Sequence, residues 1–321
     1  MLIDQLISVP QREKAGSTTA ERIDYQALWG LTLIFKHFGG LADYAVCFEF
    51  HDDVLLLNSA TNPTSLRFYQ VKTKDKGHWT LADLTRRKNK KDGSGLLLSH
   101  VGKMQENFEH FPDATGAMIF VSNIPCALFN GISGTSFAEI DKTDFQGFLK
   151  KLTEECPNAS EKSAALMHFE VADLGLTDSS THLKGKLHDL VVTQLGEVSY
   201  NLDALYKTVA TECRARSKFT GAITCLDDLL KSKTITKAQV AEWLQIVKAT
   251  ATLPTWETVS ADLALPPMEK AALSRECARL MVWRHRLGSR RVRHQILQLP
   301  PWMLPRRSTG RFGIAEIPVN D

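Results

Sequence analysis

Three residues whose types could together hydrolyse a phosphodiester lie within twenty positions of one another in this 321-residue chain: Asp53, Gln70 and Lys72. Such a reaction needs a hard divalent cation to polarise the phosphate and lower the pKa of a water, oxygen ligands to hold that ion, and commonly a lysine near the attacking water. Asp53 offers a carboxylate, Gln70 a carboxamide oxygen and Lys72 an ammonium group. Gln70 and Lys72 stand two positions apart, the spacing that puts two side chains on one face of a strand. Glu49 and Asp52 are near enough to add an oxygen ligand. Strict alternation along a strand separates Asp52 from Asp53, so Glu49, at an odd position like Asp53, is the second choice. Taken alone, D-x16-QxK is unspecific, because edge strands often carry lysine simply to stay soluble.

The flanking pattern supplies the elements that must position these groups. Ala20 to Phe38 puts Ile23, Ala27, Leu28, Leu31, Ile34 and Phe35 at helical spacing, and Gly39-Gly40 ends it. Tyr44 to Phe50 and Val54 to Asn58 are expected as two strands of a hairpin, with the polar step His51-Asp52-Asp53 between them. Ser65 to Lys74 is a third strand, with Leu66, Phe68, Gln70, Lys72 and Lys74 on one face. Helices are expected over Trp79 to Arg87 and Gly95 to Phe111. The almost wholly apolar Gly116 to Ser122 has the composition of a buried central strand. This order predicts an α/β core over residues 15–142.

From Thr143 onward helical patterns dominate: Thr143 to Glu155, Ser160 to Val171, His182 to Leu195, Leu202 to Arg216, Cys225 to Leu230 and Lys237 to Ala249. Residues 143–278 are therefore expected to form a mostly helical region for assembly or partner binding. Residues 279–321 form an Arg-rich tail. Between Arg279 and Arg311 there are nine arginines and neither lysine nor carboxylate, and Pro300, Pro301 and Pro305 oppose a packed helix. Such a tail suits nucleic-acid binding or a terminus produced by a shifted reading frame. A net charge of +3 identifies no partner by itself. The six cysteines have no zinc-site spacing and are expected as reduced thiols. The absence of a signal-like N-terminus and of a long apolar run leads to the expectation of a cytoplasmic protein without membrane attachment.

The run Phe48-Glu49-Phe50-His51-Asp52-Asp53-Val54, then Phe68-Tyr69-Gln70-Val71-Lys72-Thr73-Lys74 and Gly77-His78-Trp79-Thr80-Leu81, resembles the double-stranded-DNA endonuclease domain of bacterial anti-phage defence effectors. That family includes the nuclease of CBASS effectors and belongs to the PD-(D/E)xK superfamily. Tyr25-Gln26 is similar to its helix-one signature, and Phe120-Val121-Ser122-Asn123 to the strand that closes its sheet. The likeness spans roughly residues 15 to 200. It implies a restriction-endonuclease-like mixed sheet flanked by helices, with Asp53, Gln70 and Lys72 catalytic. It further implies Mg2+, with Mn2+ able to substitute, at Asp53 and Gln70, to which the alternation argument adds Glu49 as a candidate ligand. Glutamine in place of a second carboxylate implies that a DNA phosphate completes the coordination. An unregulated nuclease would destroy host DNA, so the expected partners are duplex DNA and either further copies of the chain or a defence-system ATPase or sensor protein, with abortive infection as the outcome.

Other residues carry open readings. Gln26 suits a structural hydrogen bond as well as a site role, and Lys74 suits plain solvation as well as phosphate contact. Arg86, Arg87, Lys88, Lys90 and Lys91 are candidates for DNA-backbone contacts. The histidines are dispersed and expected to be structural, and the tryptophans, including Trp243, Trp256 and Trp283, to anchor packing. The competing functional readings are a non-catalytic DNA- or partner-binding module on a nuclease fold, and an RNA-directed nuclease using the same site.

Overall fold

The computed structural model describes residues 15–90, 92–129, 133–251 and Arg275. The Arg-rich tail, Trp256 and Trp283 lie outside the described residues.

Helix α1, Ala15–Phe38, begins five residues earlier than the periodicity suggests. From Ala27 to Phe35 it is buried on every side, as befits a helix enclosed between a sheet and other helices. Strands β1 (Ala45–Phe50) and β2 (Asp52–Leu57) form the expected hairpin, and β3 (Leu66–Lys72) extends it into an antiparallel meander. Between β3 and β4 (Thr115–Ser122) run helices α2 (Leu81–Leu84) and α3 (His100–His110). β4 lies parallel to β3, and Gln70 pairs with Phe120 and Lys72 with Ser122. Then come β5 (Thr135–Ser136), α4 (Lys142–Glu155), α5 (Glu161–Ala165) and β6 (Met167–Val171). Helices α6 (Ser179–Leu195), α7 (Leu202–Lys218) and α8 (Leu226–Ser232), strand β7 (Thr234–Thr236) and helix α9 (Lys237–Thr250) complete the described chain.

The seven strands make one mixed sheet in the order β5-β6-β4-β3-β2-β1-β7. Apolar side chains leave it on both faces. One face carries Val46, Phe48, Val54, Leu56, Tyr69 and Val71 against α1, α6, α7 and α9. The other carries Cys47, Leu55, Phe68, Met118, Phe120 and Phe169 against α3, α4, α5 and α8. The result is the helix, sheet, helix layering of an α/β restriction-endonuclease-like fold. Trp243 is buried in the first core.

Three expected helices differ. The one predicted over Trp79 to Arg87 shrinks to the single turn Leu81–Leu84, closed by a capping box between Thr80 and Asp83. The one predicted from Gly95 starts only at His100. Before it, Lys90 N donates to Gly95 O and Leu97 N to Lys88 O, a small hairpin that needs the positive φ of Gly93 (72°) and Gly95 (137°). The helix predicted over Ser160 to Val171 ends at Ala165, and Met167–Val171 becomes a strand between β4 and β5. Met167 and Phe169 alternate into the second core, so pairing with β4 overrides the helical pattern. The expected division at residue 142 thus coincides with no break in the sheet, since β6 and β7 both come from beyond it.

Candidate active site

Asp53 lies at the start of β2 and Lys72 at the end of the adjacent β3, where the two strands part. The Lys72 ammonium donates to Asp53 Oδ2 at 2.6 Å, and the Val71 amide donates to the same oxygen at 2.7 Å. The carboxylate thereby replaces a missing partner in the ladder and ties the two strand ends together. Gln70, 3% exposed, projects from the same face of β3 as Lys72. A cavity of about 330 Å³ is lined by Glu49, Asp52, Asp53, Gln70, Lys72 and Lys103.

Asp52 shares that cavity with Asp53, contrary to the alternation argument. The reason lies in the hairpin backbone. Glu49 (φ 49°) and His51 (φ 62°) adopt the left-handed conformation, sparsely populated by residues other than glycine. Phe48 packs in the first core and Phe50 in the second, although two residues apart they should share a face. Asp52, the cross-strand partner of Phe50, is carried with it toward α3. There Asp52 Oδ2 accepts from Asn107 Nδ2 at 3.0 Å, and Oδ1 accepts from the Asp53 amide at 2.9 Å.

The carboxyl groups resist sharing this space as anions. Burial, helped by the charge of Asp53, pushes Asp52 up to about 7. The same two causes raise Glu49, whose carbonyl meanwhile accepts from Lys233 Nζ at 2.9 Å. The carboxyl groups and the carboxamide make an oxygen-rich donor set that suits a hard divalent cation, with the Lys72 ammonium beside it. Among the described residues no three His, Cys, Asp or Glu side chains are gathered closely enough to hold a metal unaided.

One participant escapes sequence reasoning. His100, at the first position of α3, places Nδ1 3.0 Å from Gln70 Oε1. Burial and the nearby charges of Lys72, Lys103 and Lys88 press its pKa down to about 4, so the ring is neutral at pH 7. A neutral imidazole facing a carboxamide oxygen carries its hydrogen on Nδ1 and donates it. The only local hint was the serine before it, a helix N-cap that sets the start of α3.

The remaining candidates sort themselves by their partners. Gln26 Nε2 donates to Val71 O at 3.1 Å, bracing β3. Lys74 donates to His78 O at 2.7 Å and to Asp83 Oδ2 at 3.2 Å, and its ammonium lies over the Trp79 ring. Asn123 clasps the backbone of Lys74 through both N–H and C=O, which holds the chain straight beyond Lys72. Arg86 pairs with Asp83 at 2.7 Å, and Arg87 lies 3.7 Å from Glu155. Lys88 and Lys90 are exposed and make no ion pair among the described residues. Lys91 lies outside the described residues.

Residues 14–217 match the family described as Cap4, dsDNA endonuclease domain. The chain belongs to this family. The match embraces α1, the meander, β4 and β6, hence every strand and helix that frames the Asp53, Gln70 and Lys72 cluster. A comparison with curated proteins gives no match. The Cap4-type domain makes this chain a DNA-cleaving hydrolase with double-stranded DNA as its substrate. Among the described residues no helix is long and apolar enough to cross a membrane.

Proposed function

We propose that the chain is a metal-dependent double-stranded DNA endonuclease of anti-phage defence, hydrolysing phosphodiesters at Asp53, Gln70 and Lys72 under the control of self-assembly or a partner protein. The observation that carries this reading is the Lys72 to Asp53 contact of 2.6 Å at the parting of two strands, inside a cavity that also holds Gln70, Glu49 and Asp52.

Asp53, Gln70 and Glu49 are the proposed ligands of Mg2+ or Mn2+, with a phosphate oxygen of the substrate completing the set. A cation bound there supplies Lewis acidity, lowering the pKa of water and neutralising phosphate charge. Lys72 has three hydrogens to donate. One goes to Asp53, leaving two for the phosphate oxygens as they gain negative charge in the transition state. Asp53 meanwhile fixes the ammonium in place, so little reorganisation accompanies the reaction. Gln70 lines the same cavity, its carboxamide oxygen held by His100 Nδ1 at 3.0 Å.

Supercoiled plasmid incubated with the protein in Mg2+, in EDTA, and with the Lys72→Ala variant tests the reading. Nicking or linearisation confined to wild type with Mg2+ is expected. Intact plasmid under every condition, including with its genomic neighbours added, would leave only a binding module on a nuclease fold. Duplex RNA run in parallel should remain uncut.

A further inference from the structure

Lys72 stands in the wall between two cavities of opposite character. On one side lie Glu49, Asp52 and Asp53. On the other is a space of about 400 Å³ lined by Arg22, Gln26, Val71, Thr73, Trp79, Lys88 and His100, without a single carboxylate among them. Cations this close together normally recruit acidic partners, and the neighbouring ones have done so. Lys74 and Arg86 pair with Asp83, and Arg87 lies beside Glu155. Arg22 and Lys88, by contrast, are exposed and make no ion pair among the described residues. Three positive side chains therefore line this cavity; Lys72 is shared with Asp53 on its other side, whereas Arg22 and Lys88 have no acidic partner among the described residues. Trp79 gives the cavity a rigid wall, its indole N–H already donated to Ser122 at 2.7 Å.

We propose that this second cavity is a subsite for the backbone phosphate adjoining the one that is cut, held by Arg22 and Lys88 while Lys72 spans both positions. The inference rests on the nuclease reading and names how its substrate is held. A nucleic-acid strand carries a phosphate at every nucleotide, so one seated at the acidic cavity brings its neighbour along the chain to a site near by. Arginine's planar fork suits two phosphate oxygens at once, and lysine adds a point charge. Both contacts are blind to base identity, so they position the strand without selecting a sequence.

The test compares wild type with Arg22→Gln, Lys88→Gln and the double variant on plasmid DNA and on bis(4-nitrophenyl) phosphate, a diester with no adjoining phosphate. The double variant is expected to raise KM for DNA about tenfold, to lower the ratio of DNA to diester cleavage by a similar factor, and to reduce the slope of log Kd against log salt by about two. Arg22→Lys should recover part of the loss. Equal loss on both substrates, or an unchanged salt slope, overturns the subsite. Should wild type cut neither substrate, the nuclease reading fails, and the salt slope of binding still decides the subsite.

Discussion

The imidazole of His100 reaches the carboxamide oxygen of Gln70 at 3.0 Å across thirty residues of sequence. That contact makes His100 a positioning residue for the proposed cation ligand. Partners of this kind typically alter metal affinity or activity by about 10- to 100-fold when removed. His100→Ala is expected to shift the Mg2+ concentration for half-maximal cleavage upward by roughly that factor. His100→Asn, which can still donate to Gln70, should regain part of the difference. A merely structural histidine would lower Tm and leave the Mg2+ titration where it was.

Asp53 has two duties that can be separated. Its Oδ2 accepts from the Val71 amide and from Lys72. Asp53→Asn keeps an acceptor for the amide but removes the charge, so cleavage should fall by about 10²- to 10³-fold with little loss of stability. Asp53→Ala strands the amide and should add about 1–3 kcal/mol of destabilisation. Urea unfolding of both variants beside a cleavage assay reads the two effects apart.

Helix α3 is set in place by Glu155, which accepts from the Ser99 amide and hydroxyl at 2.6 Å each. A Cβ at Gly102 would fall on that carboxylate. Gly102→Ala is therefore expected to destabilise by about 1–3 kcal/mol. It should also depress cleavage, because α3 carries His100, Lys103 and Asn107. In a double-mutant cycle with Glu155→Ala the two losses should sum to more than the combined variant shows. Strict additivity would refute the proposed clash.

Asp43 provides a pH-dependent brace outside the site. Burial opposes its ionisation, but the Ser59 hydroxyl and the Ala60 and Tyr44 amides outweigh burial and hold its pKa below the usual value. The folded pKa being depressed, its contribution is complete above the unfolded value of about 3.9 and is lost as pH falls through the folded one. Between about pH 5 and pH 3, Asp43→Asn should therefore flatten the decline of unfolding free energy with acid. An identical decline in both proteins would remove Asp43 from the account.

Much of the site could be read along the chain. The pleat spacing of Gln70 and Lys72, the apolar run of β4 and the stripe of α1 are local patterns, and local backbone geometry preserves them. Other features depend on residues distant in sequence. The left-handed residues Glu49 and His51 turn Asp52 toward Asn107, which lies fifty-five positions away. Met167–Val171 is a strand because β4 offers it a parallel partner, and Thr234–Thr236 is one because β1 has a free edge. Which cations remain available to bind anions was likewise invisible: Asp83 and Glu155 neutralise Lys74, Arg86 and Arg87, whereas Arg22 and Lys88 make no ion pair among the described residues. Side-chain spacing is a property of the backbone's own repeat, but charge compensation and strand pairing depend on which distant segments folding brings within a few ångströms.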